Sequence, residues 1–598
     1  MKINYLFLFT IGPVQSFIAQ ARKTQDLYSG SRLLSDLIKY TIEQAKVFVP
    51  NGVEIIFPAD NVTSNPNRFI AVIQTDKPET VGQELENYIK NKFKKIADDI
   101  FEKCNGKSKP ENFDNQIKSF FQIYRVALKY DKSQYKKQYK EIEQILGGVK
   151  NIRQFEQLEE QGKRKCSLCG ERNALFYKWI IKENGKTKRP AYLQNDAIEI
   201  KKLDHGEGLC AVCFTKRFYE KTEISSFPST AEIALMDILD TLKNDSLNDN
   251  LLDEFKTLVN KNGENNFNVQ LYFEENLNET YFKKYDLKKY LAELPNIKDK
   301  QKKIAEKAKQ QKLKLSRYYA IIAFDGDSMG KWLSGEKLSS AADLKAFHKA
   351  LSEKLGEFTR SAKKYLDKPK GKTVYAGGDD FLGFITLKHL FDVMKTLREK
   401  FDKQVNQPLK KNFKLKSSED NLSFSAGIAI AHYKTPLSIV LAKARNMEKQ
   451  AKDIDDKKNA FAIAVLKHSG EIQQTVYKWK YDECESLEVI KNLTTVLVED
   501  VFSNTFIKNL DLEFRRLMDN NGRFGDEHIM NTEIKRLVTR SCMMQREAGE
   551  SKKDFKIRKQ EEISELSNSL CNLFYSCSKN LENFLSSLHI ADFIKREI

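Results

Sequence analysis

Residues 373–385, Thr-Val-Tyr-Ala-Gly-Gly-Asp-Asp-Phe-Leu-Gly-Phe-Ile, constrain this chain more than any other stretch. Two apolar, β-prone runs flank four residues that favour a tight turn, a pattern that folds as a hairpin. Gly377 and Gly378 reach positive φ without steric cost and leave room for another backbone or a phosphate. Asp379 and Asp380 then stand side by side at a rigid tip. Adjacent carboxylates repel, so a site that keeps both ionised holds a cation. Oxygen donors of this kind suit Mg²⁺ or Mn²⁺ with nucleotide phosphates as co-ligands. An ordinary polar turn is the other reading of these four residues, and the surrounding chain has to decide.

The hairpin lies inside a β-α-β-β-α-β succession. An apolar strand, Tyr318 to Phe324, ends in Asp325-Gly326-Asp327-Ser328-Met329-Gly330. Helices are expected at 341–366, 387–405 and 436–453, and further strands at 422–431 and 459–466. An upstream stretch has a similar order. Strands are expected at 3–11, 53–57 and 68–75, with helical segments at 15–45, 80–104 and 112–129. This is the ferredoxin-like topology of polymerase and cyclase palm domains. In it, the end of the first strand lies beside the central hairpin tip, so Asp325 is expected to face Asp379 and Asp380. Three carboxylates from two strands make a cradle for two metal ions. The upstream unit has no carboxylate after its opening strand and no acidic tip, and reads as a degenerate palm.

At 598 residues the chain is too long for one core, and 40% hydrophobic with 31% charged residues describes a soluble globular protein. The net charge of +18 points to a polyanionic partner, or to a Lys-rich surface of no particular meaning. Nine cysteines are an odd number, which speaks for a reducing cytoplasm and against a disulfide framework. Four of them form Cys166-x-x-Cys169 and Cys210-x-x-Cys213, pairs expected to complete a tetrahedral Cys₄ site for structural Zn²⁺ with no open coordination position; free thiols or a redox pair are the other readings, and nothing nearby suggests a thioredoxin-like unit. Tyr5 to Ile11 has some features of a signal peptide, but Gly12-Pro13 and Gln15 interrupt it, and no run of apolar residues is long enough to span a membrane. The basic tract from Lys298 to Arg317 reads either as a solvated linker helix or as an RNA-backbone contact. Residues from about 475 onward read as helices at 487–518, 527–547 and 553–593, with Cys542, Cys571 and Cys577 as core thiols. The histidines are scattered, and no His-Asp dipeptide occurs.

Taken together, these motifs resemble the large subunit of type III CRISPR effector complexes, the "Cas ten" proteins, and within them the Cmr (III-B) branch. Ile11 to Ile18 and Gly30 to Ser35 look like that branch's opening motif, and the four cysteines like its zinc insert. Asp325 to Gly330 and Gly377 to Asp380 look like its catalytic palm. Ser425 to Ala429 and Ala451-Lys452 resemble the corresponding elements of the wider GGDEF-type cyclases.

The fold expected from this resemblance is α+β, with two ferredoxin-like, nucleotidyl cyclase/GGDEF-like palm domains. It comprises a degenerate palm (1–145), a Cys₄ zinc insert (146–227), a helical linker domain (228–315), a catalytic palm (316–470) and an all-helical C-terminal domain (471–598). The resemblance implies a cytoplasmic antiviral protein acting with the other Cmr subunits, a guide CRISPR RNA and target RNA. It implies an ATP-using nucleotidyltransferase switched on by the target. Asp325, Asp379 and Asp380 would be catalytic and, with the Gly326 carbonyl, would hold two Mg²⁺ or Mn²⁺ ions. Gly377, Gly378 and Lys452 would meet the nucleotide, and Asn67 and Arg68 of the first palm would help to seat a second one. The product would be a cyclic oligoadenylate or AMP joined to a metabolite such as S-adenosylmethionine. No HD-type DNase activity is expected, because the palm pattern starts at residue 3 and a His-Asp pair is lacking. A stand-alone dinucleotide cyclase would share the palm but not the zinc insert. A silent RNA-binding subunit would not need three carboxylates.

Overall fold

In β1 (Ile3–Gly12), alternate side chains serve two different cores. Leu6 and Leu8 point one way, together with Ile70, Val72 and Val126; Phe7 and Phe9 point the other, together with Phe69, Ala71 and Ile73. A strand buried on both faces reads as one apolar run, which is how this segment looks in sequence. The computed structural model describes residues 3–60, 62, 64–104, 108–152, 160, 164–177, 181–183, 186–188, 203, 206–219, 227–244, 250–260, 267–285, 287–517, 527–577 and 580–598. Much of the spacer between the two cysteine pairs lies outside these residues.

β1 pairs with β3 (Arg68–Thr75) and β4 (Gln122–Lys129), and β3 with β2 (Val53–Phe57), giving the antiparallel order β2-β3-β1-β4. Helices α1 (Gln15–Ala19), α2 (Thr24–Phe48) and α3 (Pro78–Lys103) belong to the Phe7/Phe9 side. The helix expected over 112–129 is a correction. Only α4 (Phe113–Lys118) is helical, and after a short turn the chain continues as β4. Ile123 and Ala127 pack on one core while Tyr124, Val126 and Leu128 pack on the other, a period of two that the helical reading passed over. The next helix, α5 (Tyr135–Asn151), runs straight through the domain boundary drawn at residue 145.

In the insert, β5 (Phe176–Tyr177) pairs with β8 (Gly208–Leu209), and β6 (Ile181–Glu183) with β7 (Lys186–Lys188). Helix α6 (Ala211–Phe218) packs against α2 and α3. Helices α7 (Thr230–Asn244), α8 (Leu251–Val259), α9 (Glu279–Lys284) and α10 (Leu294–Gln310) share a separate core around Phe255, Tyr272, Phe282 and Ile304. The basic tract on and after α10 spends much of its charge internally. Lys303 pairs with Asp299 at 2.7 Å, Lys314 with Glu597 at 3.4 Å, Arg317 with Glu275 at 3.0 Å, and Lys300 with Glu254. These pairs favour the linker-helix reading over a dedicated RNA contact.

The second sheet comprises β9 (Tyr318–Gly326), β10 (Gly371–Gly377), β11 (Asp380–Thr386), β12 (Phe424–His432), β13 (Ala460–Leu466) and β14 (Ile472–Lys478). Its order is β10-β11-β9-β12-β13-β14, so its first four strands repeat the arrangement of the first sheet. Around it lie α11 (Met329–Leu333), α12 (Leu344–Tyr365), α13 (Leu390–Phe401), α14 (Gln407–Asn412) and α15 (Leu437–Lys452).

β14 is a second correction, since residues from about 475 were expected to be helical and the domain boundary at 471 detaches this strand from its sheet. Its polar sequence, Ile-Gln-Gln-Thr-Val-Tyr-Lys, hides an edge strand that a helix covers. The Asn583 carboxamide accepts the Val476 N–H at 2.7 Å and donates to the Val476 carbonyl at 2.9 Å. The remainder is helical: α16 (Ser486–Val498), α17 (Thr505–Leu517), α18 (Glu527–Ser541), α19 (Lys552–Ser576) and α20 (Leu581–Glu597). The span read as one helix over 487–518 breaks near Asp500, whose φ is 55°. The span read over 553–593 breaks between α19 and α20. Cys542, Cys571 and Cys577 are partly buried against the main core.

His348 on α12 joins the units built on the two sheets. Its Nε2–H donates to the Leu333 carbonyl at 2.8 Å, which leaves Nδ1 to accept the Tyr135 hydroxyl of α5, also at 2.8 Å. Burial holds this imidazole down at about 4, against an ordinary value of 6.5. The unfolded chain therefore takes up a proton near pH 6.5 that the folded chain refuses until about pH 4. The stability due to neutral His348 is complete above pH 6.5 and is lost as pH falls through that window, a change of roughly 3 kcal/mol. Urea midpoints measured from pH 7 to pH 4 should fall less steeply in His348→Gln than in the wild type. Some slope should remain from His432, which burial and His468 also push down to about 4.

Candidate active site

The register of β9 places the acidic residues. Phe324 lies opposite Phe381 on β11 and Ser425 lies opposite Asp325 on β12, so one further step along the β9–β11 register sets Asp325 beside Asp380. The β10–β11 hairpin closes at the Gly377/Asp380 pair, leaving Gly378 and Asp379 as its two-residue turn. Gly378 has a φ of +66°, a conformation that L side chains rarely adopt. Gly326 lets the end of β9 close on this turn, since a Cβ there would stand 2.9 Å from the Asp379 Cβ. The three expected carboxylates thus meet at one end of the sheet.

Their electrostatics are unequal. Burial, then the Asp325 and Asp380 charges, push Asp379 up to about 7. Burial also pushes Asp380 up, and Arg445 pulls against it. The Arg445 guanidinium donates to Asp380 Oδ1 at 3.2 Å and to Glu448 Oε2 at 2.6 Å, and it touches the Tyr375 hydroxyl. That hydroxyl in turn donates to Asp380 Oδ2 at 2.9 Å. Lys452 pairs with Asp325 and, at 3.3 Å, with Glu448. Against the effect of burial, Asp325 and Glu448 keep the Lys452 ammonium more basic than usual.

Sequence reading missed Arg445, Glu448 and Tyr375. Arg445, Glu448 and Lys452 follow the i, i+3, i+7 spacing of one helix face, and Tyr375 shares a strand face with Gly377. The signal was present, but two of these residues lay outside the recognised motifs. Their placement depends on Gly427 of β12, where a Cβ would lie 2.1 Å from both the Ala444 carbonyl oxygen and the Glu448 nitrogen. Backbone contact at this point seats α15 directly on the sheet.

A cavity of about 720 Å³ lies between the unit built on the first sheet and the unit built on the second. Asp379, Asp380, Tyr375 and Arg445 line one wall, and Asn67, Arg68 and Ser64 the other. Both first-palm candidates therefore reach the cavity, yet each is engaged within the protein. The Asn67 carboxamide donates to Thr10 Oγ1 at 3.3 Å and to the Ile11 carbonyl at 3.2 Å, and Arg68 pairs with Glu143 at 2.9 Å.

The sulfurs of Cys166, Cys169, Cys210 and Cys213 all lie within 4.8 Å of one another, with Cys169 and Cys210 at 3.9 Å. A tetrahedron built from metal–sulfur bonds of ~2.3 Å has edges of ~3.8 Å, so the donor set fits a thiolate-bound ion. From the same helix as Cys213, the buried Lys216 donates to the Phe17 and Gln20 carbonyls, both at 2.6 Å, and passes over Gly30, where a Cβ would stand 2.8 Å from its Cδ. Arg217 pairs with Asp26 at 2.7 Å and with Glu207 at 2.5 Å. The insert thus clamps the α1–α2 segment, whose residues Gln15, Ser16 and Ser31 also line the cavity.

Residues 318–462 match the family described as Cas10/Cmr2, second palm domain, and residues 6–61 match CRISPR-associated protein Cmr2, N-terminal. The chain is similar to the CRISPR system Cmr subunit Cmr2 of Pyrococcus furiosus, with 26% identity over 588 residues covering 80% of this chain and 63% of that relative. It therefore spans less than two thirds of that relative's length. Its fold resembles a subunit of the type III-B Cmr-beta complex in the apo state (TM-score 0.62, 14% identity, 92% of this chain and 78% of that one). The Cmr-beta complex bound to cognate target RNA gives a TM-score of 0.61 at 14% identity, over 92% of this chain and 80% of that one. Among the described residues, no helix is long and apolar enough to cross a membrane.

Gly427→Ala tests the seating of α15. It should destabilise the chain by about 2–3 kcal/mol in urea unfolding, because neither contacting backbone atom can give way cheaply. An unchanged midpoint would mean that α15 can ride outward freely.

Proposed function

Because the chain belongs to the Cas10/Cmr2 family, we propose that it is the large subunit of a type III-B RNA-guided antiviral effector and carries a target-RNA-activated, ATP-consuming nucleotidyltransferase centre in its second palm. Its partners would be the other Cmr subunits, the guide CRISPR RNA and the target RNA, in the cytoplasm. The observation that carries this reading is the convergence of Asp325, Asp379 and Asp380 on one end of a palm sheet. A silent structural subunit has no use for three crowded carboxylates.

Asp325, Asp379 and Asp380, with the Gly326 carbonyl, would hold two Mg²⁺ or Mn²⁺ ions. When bound, these ions supply Lewis acidity to the attacking ribose hydroxyl and the departing pyrophosphate. The chain's own groups do the rest. Asp379, whose carboxyl sits at about 7, gives up its proton as the site fills. Arg445 and Tyr375 keep Asp380 oriented, and Lys452 lies close enough to Asp325 to meet a triphosphate there. Gly377 and Gly378 let the backbone approach the nucleotide. Cys166, Cys169, Cys210 and Cys213 would hold a structural Zn²⁺ that keeps α6 folded on the opening motif.

Two products suit the site: a cyclic oligoadenylate, or AMP joined to a metabolite such as S-adenosylmethionine. One observation favours the second. Among the described residues lining the cavity, the cations are Arg68 and Arg445, and both are already paired with acids. The wall that carries Arg68, tied to Glu143, offers little to a second triphosphate and more to a compact acceptor. Mass spectrometry of the product, with and without added S-adenosylmethionine, separates the two.

The assembled complex with guide, matching target RNA, ATP and Mg²⁺ or Mn²⁺ should release pyrophosphate. Combined Asp379→Ala and Asp380→Ala should abolish release while RNA binding persists; unchanged turnover would sink the assignment. For the insert, elemental analysis should find one zinc per chain. Cys169→Ser should lower that content and make residues near α1 and α6 more accessible to limited proteolysis.

A further inference from the structure

Asp325-Gly326-Asp327 has the look of a pair of ligands, because alternate residues of a strand share a face. The chain leaves β9 at Gly326, however, and Asp327 does not follow Asp325. It is 4% exposed and turned into the protein. Its Oδ1 accepts the Ser425 hydroxyl at 2.7 Å, and its Oδ2 accepts the Ser423 hydroxyl at 2.7 Å and the Asn459 N–H at 3.1 Å. Its own N–H donates to the Ser423 carbonyl at 2.8 Å. These donors come from the start of β12 and from the residue before β13, so one carboxylate ties three neighbouring chain segments together.

We propose that Asp327 is a positioning residue for the carboxylate cluster: by bonding Ser423, Ser425 and Asn459 it fixes the turn that presents Asp325 and the Gly326 carbonyl, without itself reaching the ions. This rests on the metal-dependent reading above. The geometry on both sides of the turn supports it. Ser425, fully buried, lies directly opposite Asp325 in the β9–β12 ladder, and its oxygen also accepts the Ala460 N–H at 3.3 Å. Asn459, held at a φ of 55°, accepts Arg398 Nη2 on its side-chain oxygen at 2.9 Å, so the donor to Asp327 is itself fixed. Immediately downstream, Ser328 has a φ of 53° and leads into Met329 and Gly330, which line the cavity. A turn containing a left-handed serine needs an outside hold, and the bonds to Asp327 provide one.

Asp327→Asn keeps the size but replaces one acceptor oxygen with an amide that faces donors. Ser425→Ala removes one hydroxyl and leaves the carboxylate intact. The test is Mn²⁺ binding to the purified full-length chain without nucleotide, followed by electron paramagnetic resonance, with turnover of the assembled complex measured alongside. Wild type should bind Mn²⁺, and Asp379→Ala with Asp380→Ala should not; if that pair makes no difference, the metal reading and this proposal fall together. Asp327→Asn is expected to weaken Mn²⁺ binding about tenfold and to lower kcat more than it raises KM for ATP. Ser425→Ala should weaken Mn²⁺ binding in the same direction, about threefold. If Asp327 were itself a ligand, Ser425→Ala would free its carboxylate and leave binding unchanged or tighter, and that result would overturn the proposal while the metal reading stood. Binding by both variants within twofold of wild type would overturn it equally.

Discussion

The backbone contact at Gly427 is the constraint on which the rest of the site depends. Three carboxylates gathered at one end of a sheet repel one another; at ~4 Å, and an effective dielectric of ~20, each like-charged pair costs on the order of 4 kcal/mol. The sheet register brings them together, and α15 makes the gathering tolerable by laying Arg445 on Asp380 and Lys452 on Asp325. Those side chains reach only because the helix axis lies as close to β12 as a glycine permits. Glu448, between the two cations on the same face, keeps them from repelling each other. What stays uncompensated is Asp379, where burial and then the neighbouring Asp325 and Asp380 charges push the carboxyl up to about 7.

The opposite wall of the cavity is held by a different device. Lys216 and Arg217 are among the most deeply buried cations in the described chain, and each is satisfied only because α6 lies where it does. Removing one partner from a buried ion pair typically costs 3–5 kcal/mol, since the other charge is left unpaired. Cys210 caps this helix and Cys213 lies in its first turn, so an ion holding them to Cys166 and Cys169 would stabilise α6 and, through it, the loop carbonyls of Phe17 and Gln20. A site with no open coordination position can thus govern a cavity it does not touch.

Much of this was legible in the sequence, for identifiable reasons. β2 and β3 stand at the expected residues because β-branched and aromatic runs are bounded by turn-forming ones, and the hairpin because Gly-Gly-Asp-Asp separates two such runs. β4 and β14 were not legible, for opposite reasons. β4 mixes Lys, Arg and Ala into an alternation that also suits a helix, whereas β14 is polar because it is an edge whose backbone is satisfied by Asn583. At the site, the acids declared themselves through spacing, but Arg445 did not, since a cation on a helix gives no sign of which strand it will face. Asn67 and Arg68 show the converse. They reach the cavity as expected, yet their polar groups are committed to Thr10, Ile11 and Glu143.

That last point bears on the pairing of an acidic palm with one that lacks acids. A first palm that merely lost its carboxylates could have kept free cations for a second polyphosphate. Instead, the only cation it presents to the cavity among the described residues is tied to Glu143, while Gln15, Ser16, Ser31 and Ser64 present neutral polar groups. The net charge of +18 is therefore no guide to what the cavity accepts, because internal pairing removes it there and on α10 alike. On the proposed reading, the asymmetry divides the labour. The second palm would hold the triphosphate through ions on its acids, with Lys452 of α15 beside them, and the first palm would select the acceptor by shape and hydrogen bonding, where a strong positive field would hold any polyphosphate indiscriminately.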